Sequence, residues 1–194
     1  MAISTDISAG RTKADLKGWY FFKEATPGSA NNATSYSGVA EPPEFSHAGG
    51  FYSSAFMLEL KAGAGARIYY TLDGSVPDPG NIAGSTYKFK NEYPMHPGDS
   101  PGPYLESFFQ THLYEDPIFI RDRSTEESIA GINTSYARSP FIPEADIMQG
   151  VVVRARVIRD GYLPGPVITH TYLPGSAPGR FDLPVISLSL PDTS

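Results

Sequence analysis

The side chains able to do chemistry are few, and their spacing is mostly unsuited to it. The four histidines, His47, His96, His112 and His170, stand singly. An HExxH or HxH pattern would place two imidazoles on one metal, and neither occurs. Cys is absent, which excludes disulfides, thiolate metal sites and a Cys nucleophile together. No GxSxG, Walker A or GxGxxG sequence is found. Two carboxylate pairs occur, Glu115-Asp116 and Glu126-Glu127. A glycosidase holds its two carboxyl groups about 5–10 Å apart across a sugar, whereas neighbours on a strand point to opposite faces. Solvated loops are the preferred reading for both. Asp73, Asp78 and Asn81 carry oxygens that suit calcium, but their spacing is not that of an EF-hand. Asp73-Gly74 is also a standard hairpin turn, which is the preferred reading. Trp19, Tyr69 and Tyr162 could stack on sugar rings, against the alternative that Tyr70 and its neighbours form core. No catalytic, cofactor or metal residue is assigned.

The elements that would position these groups are strands. Among 194 residues there are 19 Gly and 18 Pro, a density that breaks helices because Pro lacks a donor and Gly carries an entropic cost. The 12 Tyr and 11 Phe suit half-buried pleated surfaces. In residues 56–60 Phe56, Leu58 and Leu60 share a face; in residues 67–72 Ile68, Tyr70 and Leu72 do. Residues 150–158 form the clearest strand, with Val151, Val153, Ala155 and Val157 on one side and Val152, Arg154, Arg156 and Ile158 on the other. Residues 167–172 follow as its partner, and residues 19–22 read as a further short strand. Turn chemistry between such strands predicts a sandwich. Only residues 142–148 hint at a helical turn. Residues 74–147 are too long for a sandwich loop, so an inserted hairpin is expected, running out through residues 86–93 and back through residues 105–120.

The formal net charge is −6, and a basic stripe able to neutralise phosphates is missing, which argues against nucleic acid. No run approaches the roughly 18 apolar residues of a membrane span. Residues 1–5 lack the basic and apolar regions of a signal peptide.

Ile68-Tyr69-Tyr70-Thr71-Leu72-Asp73-Gly74-Ser75-Val76-Pro77, with Val152-Val153-Arg154-Ala155-Arg156-Val157-Ile158-Arg159-Asp160-Gly161-Tyr162-Leu163-Pro164, resembles the small β-sandwich appended to chitobiases, β-hexosaminidases and some chitinases. That family runs YYTLDGSxP, a variable stretch, then A…DGY. Phe181-Asp182-Leu183-Pro184-Val185-Ile186-Ser187-Leu188 is similar to the opening strand of the spore-coat protein H (CotH) kinase-like family. Trp19-Tyr20-Phe21-Phe22 and Ala25-Thr26-Pro27-Gly28-Ser29-Ala30-Asn31 look like the tail of a lamin-tail-like domain, and residues 118–124 are similar to the inserted hairpin of such proteins. The resemblance implies an all-β, immunoglobulin/fibronectin III-like sandwich with a long inserted hairpin. It implies no catalytic role for the matched residues.

The expected layout is the end of a lamin-tail-like domain or an N-terminal strand over residues 1–30, then a linker at 31–50. The sandwich follows at 51–174, its insertion at 80–147, and residues 175–194 are a linker with the first strand of a CotH-like domain. The segment would come from a longer extracellular or spore-surface bacterial protein. Its expected role is that of a non-catalytic accessory module that spaces or docks neighbouring domains of the same parent, without nucleic acid, membrane span or cofactor. A carbohydrate-binding module with polysaccharide as partner is the alternative.

Overall fold

The computed structural model of the chain describes residues 7–31, 34–90, 96, 98, 104–126, 147–175 and 184–188. In chain order the strands are β1 (Ser8–Gly10), β2 (Tyr20–Phe22), β3 (Glu44–Phe45), β4 (Gly50–Tyr52), β5 (Phe56–Leu58), β6 (Leu60–Lys61) and β7 (Ala66–Thr71). They continue with β8 (Ser85–Lys90), β9 (Tyr104–Phe109), β10 (His112–Leu113), β11 (Ile118–Ile120), β12 (Val151–Arg159) and β13 (Ile168–Pro174). A single 3₁₀ turn at Pro79–Asn81 is the helical content of the described residues.

One layer is a five-stranded sheet in the order β10-β7-β12-β13-β4. β12 lies at its centre, antiparallel to β7 and to β13, and β4 closes the edge by pairing parallel to β13. The other layer is made of two short ladders, β5 with β11 and β3 with β6. β5 and β6 change partner at Glu59, whose backbone exchanges bonds with Ser46. The layers meet in one core, in which Leu58, Leu60, Ile118 and Ile120 face Ile68, Val153, Ala155 and Val157. Burying each Val or Ile contributes about 1.5–3 kcal/mol, so the alternating Val151–Val157 face of β12 is the main organiser. Both motif segments lie in this core, since Val157 stands opposite Ile68 and Ala155 opposite Tyr70. The protein is an all-β sandwich of the immunoglobulin/fibronectin III-like kind.

The structure differs from expectation in three places. Residues 31–50 are not simply a linker. Val39 bridges to Leu163, Ala40 is buried, and Phe45 of β3 packs against the core. A glycine in this segment allows close backbone approach, for a Cβ on Gly49 would sit 3.0 Å from the Thr171 carbonyl oxygen. The insertion is also shorter than residues 80–147. β8 and β9 form the anticipated hairpin, but β10 and β11 belong to the sandwich, with Ile118 and Ile120 in its core. Finally, the described part of the tail, residues 184–188, forms no strand. It lies beside β13 through a hydrogen bond between the Ser187 and Thr171 hydroxyls at 2.7 Å. The helical turn anticipated at 142–148 falls largely outside the described residues, and residues 147–148 are irregular.

At the N-terminal side β1 and β2 pair antiparallel. Phe21 and Phe22 are buried, and Phe21 exchanges backbone bonds with Tyr36.

Candidate functional site

The motif turn is built from its own side chains. Gly74 adopts φ 85°, a left-handed conformation that costs a glycine least. Asp73 Oδ1 accepts from the Ser75 amide at 2.9 Å and from its hydroxyl at 2.5 Å. Asp73 Oδ2 accepts from the Gln110 amide at 2.8 Å. The carboxylate therefore ties the turn after β7 to the residue that follows β9, at the base of the inserted hairpin. Thr71 donates its hydroxyl to the Ser75 carbonyl at 2.7 Å, and Asp78 takes its amide bond to the Thr111 hydroxyl at 3.0 Å.

Arg154 joins the two motif segments. It lies on the face of β12 away from the main core, yet it is only 7% exposed because the segment after β7 covers it, with Pro77 fully buried. Its Nη1 donates to the Gly74 carbonyl at 2.6 Å, while its Nε has no hydrogen-bond partner among the described residues. Two residues along the same strand, Arg156 donates from Nε to the Gly165 carbonyl at 3.0 Å. Burial pushes the Arg156 pKa down, and Asp78 opposes that shift.

Beside this turn runs a groove of about 430 Å³ between the inserted hairpin and the β5–β11 ladder. Phe108 and Phe119 reach it at 53% and 58% exposure, and Asp73, Gln110, His112 and Arg121 add polar groups. Phe119 stands opposite Met57 on the solvent side of β5–β11, between the inward Ile118 and Ile120. Arg121 and Arg123 both grip Glu126, each with a 2.6 Å contact. The hydrogen bond from Arg123 holds the Glu126 carboxyl below the usual carboxylate range, so it stays ionised and engaged. Both carboxylates of the groove are thus occupied by internal donors. What remains for a ligand is two aromatic faces and a ring of neutralised polar groups, an arrangement suited to contact more than to proton transfer.

The sequence candidates fall apart in space. Asp78 caps the 3₁₀ turn by accepting from the Gly80 amide, and Asn81 directs its side-chain amide to the Phe109 carbonyl. Among the described residues no group of three His, Asp or Glu side chains is placed to hold a metal. His47 and His170 pack with rings, His47 against Phe56 and His170 stacked on Phe45 at 4.5 Å. Glu115 and Asp116 are exposed in a loop; Glu127 lies outside the described residues. The sugar platform of Trp19, Tyr69 and Tyr162 does not form, because Tyr69 is 5% exposed and Tyr162 packs against the core. Phe108, Phe119 and buried Arg154 were not singled out by the sequence. The available signal was an apolar residue at the outward position of an alternating strand, as at Phe119.

Fold and site together define a fibronectin III-like sandwich carrying a hairpin at its motif turn. A family model described as Fn3 associated matches residues 57–172, more than half of the chain, and the chain belongs to that Fn3-associated family. No curated protein and no solved structure matches it.

Proposed function

We propose that the chain is a non-catalytic accessory module of an extracellular or spore-surface protein of the CotH type, where it spaces or docks the domains beside it. The observation that carries this reading is that the motif's polar groups are spent on the fold. Asp73 closes the hairpin base, and Arg154 binds the Gly74 carbonyl. Membership of an Fn3-associated family supports an accessory role. The lamin-tail and CotH surroundings rest on the resemblance of residues 19–31 and 181–188. Among the described residues no helix is long and apolar enough to cross a membrane. Incubation with ATP and a protein acceptor, and separately with chitin oligomers, is expected to give no turnover. Turnover that survives repurification and disappears on a point change overturns the reading. Sedimentation with the flanking domains of the parent protein separates docking, which gives a complex, from spacing, which does not.

The groove favours one second reading, a carbohydrate-binding module, because Phe108 and Phe119 offer exposed ring faces beside polar donors. Retention on insoluble chitin that is lost in Phe119→Ala, with an unchanged melt, would establish it.

A further inference from the structure

The loop between β1 and β2, residues 11–19, is ordered by polar contacts yet displays two large apolar side chains. Asp15 organises it, accepting from the Lys17 amide at 2.9 Å, the Gly18 amide at 3.0 Å and the Tyr20 hydroxyl at 2.8 Å. These bonds, the Lys17 amide first, hold the Asp15 carboxyl below its ordinary range. The Thr12 hydroxyl caps the Asp15 amide, and the Asn31 side chain donates to the Arg11 carbonyl at 2.8 Å. Buried Phe21 and Phe22 anchor the hairpin beneath. On this scaffold Leu16 is 67% and Trp19 66% exposed. An exposed Leu and an exposed Trp presented together on one ordered loop have the character of a contact surface.

Charge indicates what that surface meets. The hairpin and its flank carry Arg11, Lys13, Lys17 and Lys23 against Asp15 and Glu24, four cations to two carboxylates, in a chain of net −6. Lys13, Lys17 and Lys23 make no ion pair among the described residues. The Arg11 guanidinium lies 5.4 Å from the Trp19 ring centroid, which puts a cation over one face of the ring. An amphipathic indole and a Leu set among cations match the interface of a bilayer, where rings sit at headgroup depth and cations meet phosphate. We propose that this loop is a peripheral docking site for an anionic lipid surface, entered by Leu16 and Trp19 and held by Arg11, Lys13 and Lys17.

Trp19 is the sole Trp of the chain, so its emission reports the loop directly. The intact chain is titrated with vesicles of phosphatidylglycerol and phosphatidylcholine, and with phosphatidylcholine alone. A blue shift with the anionic vesicles, reversed by salt, is expected, since surface charge attraction fades beyond the screening length. The double change Lys13→Glu with Lys17→Glu, its melt checked against the parent, should lower partitioning by about tenfold or more. Leu16→Ala should weaken sedimentation with the same vesicles. An unshifted spectrum in anionic vesicles overturns the proposal, as does an equal shift with neutral ones. A shift with soluble glycan and none with vesicles overturns it in favour of a sugar site.

Discussion

The central sheet and the inserted hairpin are built from similar residues and held by different forces. β12 has both faces covered, Val153 and Ala155 by the second layer and Arg154 by the segment after β7. In the β8–β9 hairpin, by contrast, Tyr87, Tyr104 and Phe108 remain exposed. Its cross-strand contacts include a stack of Tyr87 on Phe109 at 4.3 Å and an exposed ion pair of Lys88 with Glu106, and exposed pairs of that kind contribute little. The hairpin is fixed chiefly at its base, by Asp73 and by Asn81, whose carbonyl accepts from the Thr111 amide. Stability thus resides in the sheet, while the hairpin contributes surface to the groove.

The sharpest way to break this comparison is to cut each region once. Ile120→Ala empties a fully buried position of β11 and is expected to cost about 2–5 kcal/mol, the range for such core truncations. Phe108→Ala on the hairpin is expected to stay within about 0.5 kcal/mol. Equal losses in urea titrations would show that the hairpin is part of the cooperative core. Arg154→Ala removes the charged donor to the Gly74 carbonyl and is expected to cost about 1.5–3 kcal/mol. Gly74→Val, forced into φ 85°, should destabilise by about 1 kcal/mol or more; an unchanged melt would mean that the turn relaxes to another type.

The smallest expected effect is one of pH, at the edge of the sheet. His170 Nδ1 accepts from the Gly49 amide at 2.9 Å. Burial lowers the His170 pKa below its ordinary 6.5, and the His47 backbone works the other way. The unfolded chain therefore takes up the proton first. The stability that His170 contributes is complete above pH 6.5 and is lost as pH falls from there through the folded value. Melting temperatures from pH 7.5 down to about 5 should decline more gently in His170→Phe than in the parent. Parallel slopes would remove His170 from the account.

How much of this was legible in the sequence varied with locality. β12 was readable because Val151, Val153, Ala155 and Val157 alternate without interruption, and β7 because Ile68 and Tyr70 do. The turn at Gly74 was readable from Asp73-Gly74. β11 falls in residues 105–120, which read as the return of the insertion, because its partner β5 is remote in the chain and short runs do not announce their partners. β3 is two residues long and has no period to detect. The groove was illegible for a related reason: Asp73, Phe108 and Phe119 come from separate elements that only the folded register brings together. The burial of Arg154 was illegible, since alternation put it on the side opposite Val153 but does not tell whether that side is covered.

The parallel pairing of β4 with β13 has a mechanical consequence. Gly50 lies beside Tyr172 and Tyr52 beside Pro174, so the chain enters this ladder at one end and leaves it at the other. A pull directed between the segment before β4 and the segment after β13 runs along both strands in opposite senses. It loads the hydrogen bonds of the ladder together, in shear, and does not peel them apart one by one. Tyr172 adds to this seam, since its fully buried ring sits at the ladder and its hydroxyl donates to the His47 carbonyl at 2.9 Å. Sliding β13 along β4 means dragging that ring out of the core, so the seam resists shear with the largest fully buried side chain among the described residues.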